Sequence, residues 1–243
     1  MSSSTEEYLE ALYNLTQGGA AATTSDIAKR LHIAPASVTE MLKKLVNKGY
    51  VNHSPYQGVS LTPKGFEIAE KMTRKHRLLE SFLHNILHIG NDKVHQEACA
   101  MEHALSDETE RALCQTLKAP AKCPDDGQVI PPCNLGFSSC AECQNWKGDN
   151  LEKVGKRNTN VISMSSLKEK QEGTIAFIRG DNKILRRLMD MGLTPGTRIK
   201  INRIAPLKGP VEIALRGSKL ALGDEIACNV FVERPVSEFA GRA

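Results

Sequence analysis

The stretch VHQEACAMEH, residues 94–103, sets Cys99, Glu102 and His103 at four, seven and eight residues beyond His95. At 3.6 residues per turn those offsets bring an imidazole, a thiol, a carboxylate and a second imidazole onto one stripe of a helix. Such a stripe is a chelator. Two further segments carry the same kind of spacing: His76 and Glu80 in KHRLLE stand four apart, and Glu7 and Glu10 near the N-terminus stand three apart. Three separate helical segments therefore offer ligands. Imidazole and carboxylate with one sulfur suit Fe²⁺, Mn²⁺, Co²⁺ or Zn²⁺ better than Ca²⁺ or Mg²⁺, and do not choose among the first four.

A second set of ligating side chains, Cys123, Cys133, Cys140 and Cys143, falls in residues 119–147, a stretch of low periodicity with four prolines. Four thiolates ending in a C-x2-C can close a tetrahedral Zn²⁺ site or hold an iron-sulfur cluster, and thiolate count does not separate the two. Cys114 and Cys228 lie in helical and strand patterns and read as buried apolar residues. Seven cysteines in all is an odd number, which fits ligands and core residues in a reducing compartment better than a disulfide framework.

The elements that must position these groups follow from periodicity. At 243 residues the chain suggests two or three units, and a hydrophobic share of 40% is enough for real cores. Residues 5–16 form an amphipathic helix with Leu9, Leu12, Tyr13 and Leu15 on its apolar side. A second helix over 25–31 is capped by Thr24 or Ser25, and Pro35 suits the first position of a third, 35–48, which Gly49 stops. YVNHS and VSLT then flank PYQG as a two-stranded wing. Helix, turn, helix and hairpin make a winged helix-turn-helix, in which Pro35, Ala36, Ser37, Thr39 and Glu40 approach base edges of double-stranded DNA. Lys43, Lys44 and Lys48, with Tyr56 and Gln57 on the wing, would reach phosphates. Residues 1–70 nevertheless hold six Lys or Arg against seven Asp or Glu, so long-range attraction to DNA is weak. The whole-chain balance of +4 permits an anionic partner without demanding one.

A long helix from Pro63, capped by Thr62, continues to about residue 88; with helices over 92–104 and 107–118 it forms a bundle able to pair with its own copy. Residues 146–165 are polar and linker-like, and 166–234 is β-rich around one helix, 182–191, closing as a small barrel. The expected fold is mainly α with small β: a winged helix-turn-helix over 1–70, a helical metal-binding and dimerisation domain over 71–120, a Cys-rich loop over 121–147, a linker over 148–165 and an SH3-like barrel over 166–236. The sequence has no run of about 18 apolar residues, and MSSSTEEYLEALY lacks a basic leader and an apolar core. The expectation is a cytoplasmic chain without membrane insertion.

KHRLLE followed by VHQEACAMEHALSDE, together with the helix-turn-helix and LTPKG, resembles the iron- and manganese-dependent repressors, the DtxR/MntR family, over about residues 1–118. Members are homodimers that bind operator DNA when a divalent metal sits between the DNA-binding and dimerisation helices. The resemblance implies one metal among Glu7, Glu10, Cys99, Glu102 and His103 with His76, and an ancillary metal at His76, Glu80 and His95. Iron-type members tend to carry methionine where Glu7 stands and cysteine where Cys99 stands; manganese-type members carry an acidic residue at the former. The soft thiolate favours Fe²⁺, and the acidic residue keeps Mn²⁺ open.

The stretch from LMDMGLTPG to NVFVE resembles FeoA, the SH3-like barrel associated with ferrous iron uptake. In the repressor family such a barrel can lend ligands to the ancillary site. Asp181 stands in the right register for this, and Ile184 replaces a second polar donor. The implied function is non-enzymatic: a dimeric, Fe²⁺-dependent repressor that binds palindromic operator DNA and controls metal-ion homeostasis. The alternatives are a Mn²⁺-responsive regulator of the same type, or a FeoA-type interaction protein in contact with a ferrous iron transport system.

Overall fold

A computed structural model describes residues 3–16, 21–54, 58–146, 157, 161–180, 182–206 and 209–234. Tyr56, Gln57 and Asp181 lie outside the described residues, as does most of the expected linker.

Helix α1, Ser3–Thr16, buries Tyr8, Leu9, Leu12 and Tyr13 on one face. Helix α2, Thr24–Leu31, starts at a reciprocal cap: the Asp26 N–H donates to Thr23 Oγ1 at 3.1 Å, and the Thr23 N–H donates to Asp26 Oδ2 at 3.1 Å. The cap is thus Thr23, not Thr24 or Ser25. Helix α3, Pro35–Asn47, buries Val38, Leu42 and Leu45 at four- and three-residue intervals. Strands β1, Val51–Ser54, and β2, Gly58–Leu61, pair antiparallel from Val51↔Leu61 to Ser54↔Gly58. A bridge between Ala22 and Val59 ties the wing back to the segment before α2. Leu9, Leu12, Ile27, Leu42, Leu45 and Val59 form a fully buried core under these elements.

Helix α4, Pro63–Asn85, joins this head to the rest of the chain without a break, across the expected boundary at residue 70. Thr62 Oγ1 accepts from the Gly65 N–H at 3.1 Å and donates to the Gly49 carbonyl at 2.7 Å, so one hydroxyl fastens α4 to the end of α3. Gly65 is needed for the approach, because a Cβ there would stand 1.9 Å from the Tyr50 carbonyl oxygen. Helices α5, Asn91–Glu102, and α6, Asp107–Thr116, fold back on α4, with Leu79, Leu83, Val94 and Ala98 forming a small apolar cluster between α4 and α5.

Thr73, Arg74, His76, Arg77, Glu80 and Ser81 of α4 are also buried. Two of them hold the segment that follows α6. Arg74 Nη1 donates to the Pro131 carbonyl and Arg77 Nη1 to the Val129 carbonyl, each at 2.6 Å. That segment was expected to be loop throughout; it contains helix α7, Cys140–Asn145, capped by Ser139.

The C-terminal unit is an antiparallel sheet of β3 (Val161–Ser163), β4 (Glu172–Ile178), β5 (Arg198–Ile204), β6 (Val211–Leu215), β7 (Ser218–Leu222) and β8 (Val230–Glu233), in the order β3-β8-β4-β5-β6-β7. Register shifts at Ile175/Phe177 and Ile201/Arg203 bend it around a core that includes Ile175, Ile178, Ile199, Ile201 and Val232. Among the described residues the ladder stays open between β3 and β7. Helices α8, Asn182–Asp190, and α9, Asp224–Ala227, complete the unit. Strand β3 begins inside the expected linker, and α9 replaces the start of the expected last strand. Replacing Gly65 by alanine forces a methyl group onto the backbone of Tyr50. G65A should lower stability by about 1–3 kcal/mol, the usual range for inserting a methyl group into a packed site, read as a lower urea midpoint for the winged head.

Candidate metal centre and DNA-facing helix

His76 lies at the middle of α4, 5% exposed, and is shared by two carboxylates. Its Nδ1 donates to Glu102 Oε2 of α5 at 2.6 Å, and its Nε2 donates to Glu80 Oε1 at 2.8 Å, one helical turn further along α4. His95 of α5 donates from Nδ1 to the same Glu80 oxygen at 3.0 Å. Cys99 Sγ stands 3.9 Å from His76 Nδ1 and 3.8 Å from His95 Nε2. Three overlapping trios have ligand atoms within 4.8 Å of one another: His76, His95 and Cys99; Glu10, His76 and Glu102; Glu80, His95 and Asp125. Side chains from α1, α4 and α5 thus meet around His76, and the segment after α6 adds Asp125 beside Glu80 and His95.

The ionisation of these groups follows from their contacts. Burial acts against a charged His76, but Cys99, Glu102 and Glu80 outweigh it and hold the ring protonated well above its ordinary range. Cys99 and Glu80 raise His95 to about 10. Burial would raise Glu80; the bonds from His76 and His95 prevail and hold it below the usual carboxylate range. The two imidazoles also draw the Cys99 thiol down, toward its ligating form. Burial lifts Glu10 to about 6, and the charge of Glu102 adds to this. Two protons on imidazoles thus balance a group of buried carboxylates and a thiol. These are ligand types that lose protons to a divalent cation, so the residues present fit such an ion.

The eight expected ligands are not equally placed. Glu10, His76, Glu80, His95, Cys99 and Glu102 come together. His103 stands beside them, with Nε2 3.5 Å from Glu102 Oε1, but its Nδ1 donates to Glu6 Oε2 at 2.7 Å. Glu7 is more exposed, with Oε1 4.0 Å from His103 Nε2. Glu6 was missed by the sequence reading, although it stands four residues before Glu10, the same interval as His76 to Glu80. Asp125 was also missed, and its loop has no periodicity that could have revealed it. Cys123 requires a correction. It was grouped with Cys133, Cys140 and Cys143, but its thiol donates to Glu80 Oε2 at 2.6 Å. Burial and that carboxylate push the thiol up to about 12, so it serves Glu80 as a neutral donor. Cys133, Cys140 and Cys143 line a different cavity together with Cys114.

On α3, Pro35, Ala36, Ser37, Thr39, Glu40, Lys43 and Lys44 are exposed, as is Lys48 just beyond it. The buried Val38, Leu42 and Leu45 turn that face outward. Thr39 Oγ1 donates to the Pro35 carbonyl at 3.0 Å, and Lys44 pairs with Glu40 at 3.0 Å. Lys43 has no such partner among the described residues.

Three family descriptions match consecutive parts of the chain: iron dependent repressor, N-terminal DNA binding domain, over residues 1–59; iron dependent repressor, metal binding and dimerisation domain, over 62–132; and FeoA domain, over 162–234. The diphtheria toxin repressor of Corynebacterium glutamicum is 30% identical over 230 residues, covering 95% of this chain and 96% of that one. An HTH-type transcriptional regulator of Methanocaldococcus jannaschii is 45% identical over 109 residues, 44% of this chain and 87% of that protein. Among solved structures, that of the manganese regulator SloR aligns with a TM-score of 0.48 at 25% identity, over 95% of this chain and 98% of that one. With three family descriptions running from residue 1 to residue 234 and a repressor 30% identical over 95% of this chain, the chain belongs to the iron-dependent repressor family.

Proposed function

We propose that this chain is a ferrous-iron-dependent transcriptional repressor that binds palindromic operator DNA as a homodimer when metal-loaded. The observation that carries this reading is the meeting of α1, α4 and α5 at Glu10, His76, Cys99 and Glu102. A divalent cation held there would supply the positive charge that the protons of His76 and His95 otherwise provide. Glu10, His76, Cys99 and Glu102 would hold one ion, with Glu6, Glu7 and His103 beside them. Glu80, His95 and Asp125 would serve a second.

The chain's own part is to convert that binding into geometry. Glu10 and Glu102 repel one another when both are charged, and α1 carries Glu10. Relief of that repulsion draws α1 onto the bundle. The buried face of α1 shares one core with α2, α3 and the wing, so the recognition helix moves with it. The free-energy coupling expected of such a switch is about 1–3 kcal/mol, a change of about 5- to 150-fold in DNA affinity. Cys99 favours Fe²⁺ by ligand softness, and the carboxylates of Glu6 and Glu7 support a Mn²⁺-responsive second reading. A partner role for the FeoA-like unit predicts DNA binding indifferent to metal, which the first experiment separates.

Anaerobic titration of a labelled palindromic operator should show an affinity gain of about 5- to 150-fold with Fe²⁺, larger than with Mn²⁺. E102Q should abolish the gain while leaving the helical content intact. Equal affinity with and without either metal would refute the reading. Because His76 and His95 are held protonated at neutral pH, metal must displace protons, so affinity should rise with pH by up to about tenfold per unit for each proton released. Calorimetry in buffers of different ionisation enthalpy checks the count. On the DNA side, K43A should reduce the slope of log K against log salt by about one, with base preference unchanged.

A further inference from the structure

We propose that Cys114, Cys133, Cys140 and Cys143 hold an iron-sulfur cluster, in a site separate from the helical metal centre and joining the dimerisation helices to the C-terminal sheet. The four cysteines line one cavity of about 40 Å³, closed on the sheet side by Phe177 of β4 and by Arg179, which follows that strand. A single water needs only about 10–15 Å³. Cys114 comes from α6, Cys133 from the segment after it, and Cys140 and Cys143 from one turn of α7.

Two observations define the occupant. The first is spacing. Four sulfurs at about 2.3 Å from one tetrahedral ion would stand about 3.8 Å apart. No three of these thiols lie within 4.8 Å of one another. The frame is wider than a mononuclear site and suits a polynuclear core with one thiolate per corner.

The second is charge. Arg179 is 2% exposed, and among the described residues its guanidinium donates to the carbonyls of Ala121 at 3.0 Å, Ile130, and Pro131 at 3.2 Å. Among the described residues no carboxylate pairs with it. Arg157 donates to the carbonyls of Cys133, at 2.7 Å, and Phe137, and lies over the Phe177 ring, with the buried Glu70 carboxylate within electrostatic reach of it. A buried cation without a counter-charge, as Arg179 is among the described residues, is costly, and a cluster bound by four thiolates is a net anion. Burial comes first in pushing Cys140 up to about 11 and in raising Cys143, so both stay neutral thiols until metal displaces their protons. Donors to the sulfurs are in place: the Gly180 N–H faces Cys140, and Arg111 faces Cys143. Cys123 cannot be the fourth ligand while it is committed to Glu80.

The test uses the full chain, reconstituted anaerobically with Fe³⁺, sulfide and a dithiol that reduces part of the iron, and then passed over a chelator that strips loosely held iron. Acid-labile sulfide and residual iron should remain in roughly equal amounts, as in a cubane cluster, with thiolate-to-iron charge-transfer absorption. C114S and C143S should lose the sulfide, and C123S should keep it. Should a variant fail to fold, alkylation of the unmutated protein replaces it: cluster loading should protect Cys114 and leave the reactivity of Cys123 unchanged. Absence of retained sulfide, zinc without sulfide, retention in C114S, or loss in a folded C123S would each overturn the proposal. Sulfide is read without DNA, so the result stands apart from the repressor reading.

Discussion

The structure turns on a buried imidazole held between two carboxylates. His76, with Glu102 on one ring nitrogen and Glu80 on the other, sits where water cannot screen a charge. Carboxylates removed from water need compensation close at hand, and here it comes from protons shared among α4 and α5. Cys99 and Glu10 gather around the same point because each gains from that positive charge. A site of this kind is selective for its own neutrality. A cation bound among these groups would have to match the negative charges in number and reach.

The same helix organises the rest of the bundle through polar contacts. Arg74 and Arg77 reach across to the carbonyls of Pro131 and Val129, so a segment with little regular structure of its own is fixed by guanidinium bonds to its backbone. Arg179 does the same from the sheet side, at Ala121 and Pro131. The segment between the bundle and the sheet is therefore gripped from both sides by arginines, while its apolar side chains Ile130, Phe137 and Ala141 are buried.

Periodicity made α1 to α6 and the wing legible, because each buries one stripe and the 3.6-residue repeat reveals it. The site was legible to the same depth: residues at helical intervals on α4 and α5 do converge. What periodicity does not encode is how a helix is rotated against a partner far along the chain. Glu6 and Glu7 are adjacent in sequence, and only the packing of Tyr8, Leu9 and Leu12 turns Glu6 toward His103. Asp125 and Cys123 belong to a segment with no repeat, so nothing local links them to Glu80. Cys114 was read as core because it keeps the helical phase of α6. A thiol that faces a cavity has the same phase as one that faces a core. The short β3 and α7 were lost for a related reason: three to six residues are too few for a pattern to stand out.

Helix α4 also sets a mechanical scale. Its 23 residues extend for about 34 Å at 1.5 Å per residue, and from Phe66 to Asn85 it contains neither glycine nor proline. It is a rigid lever with His76 and Glu80 near its middle and its tip locked beneath the wing by Thr62 and Gly65. A rotation of a few degrees at the centre would be delivered to the tip undiminished, as a displacement that grows with arm length. Adjustments too small to alter any one bond would still change the separation of two DNA-reading heads.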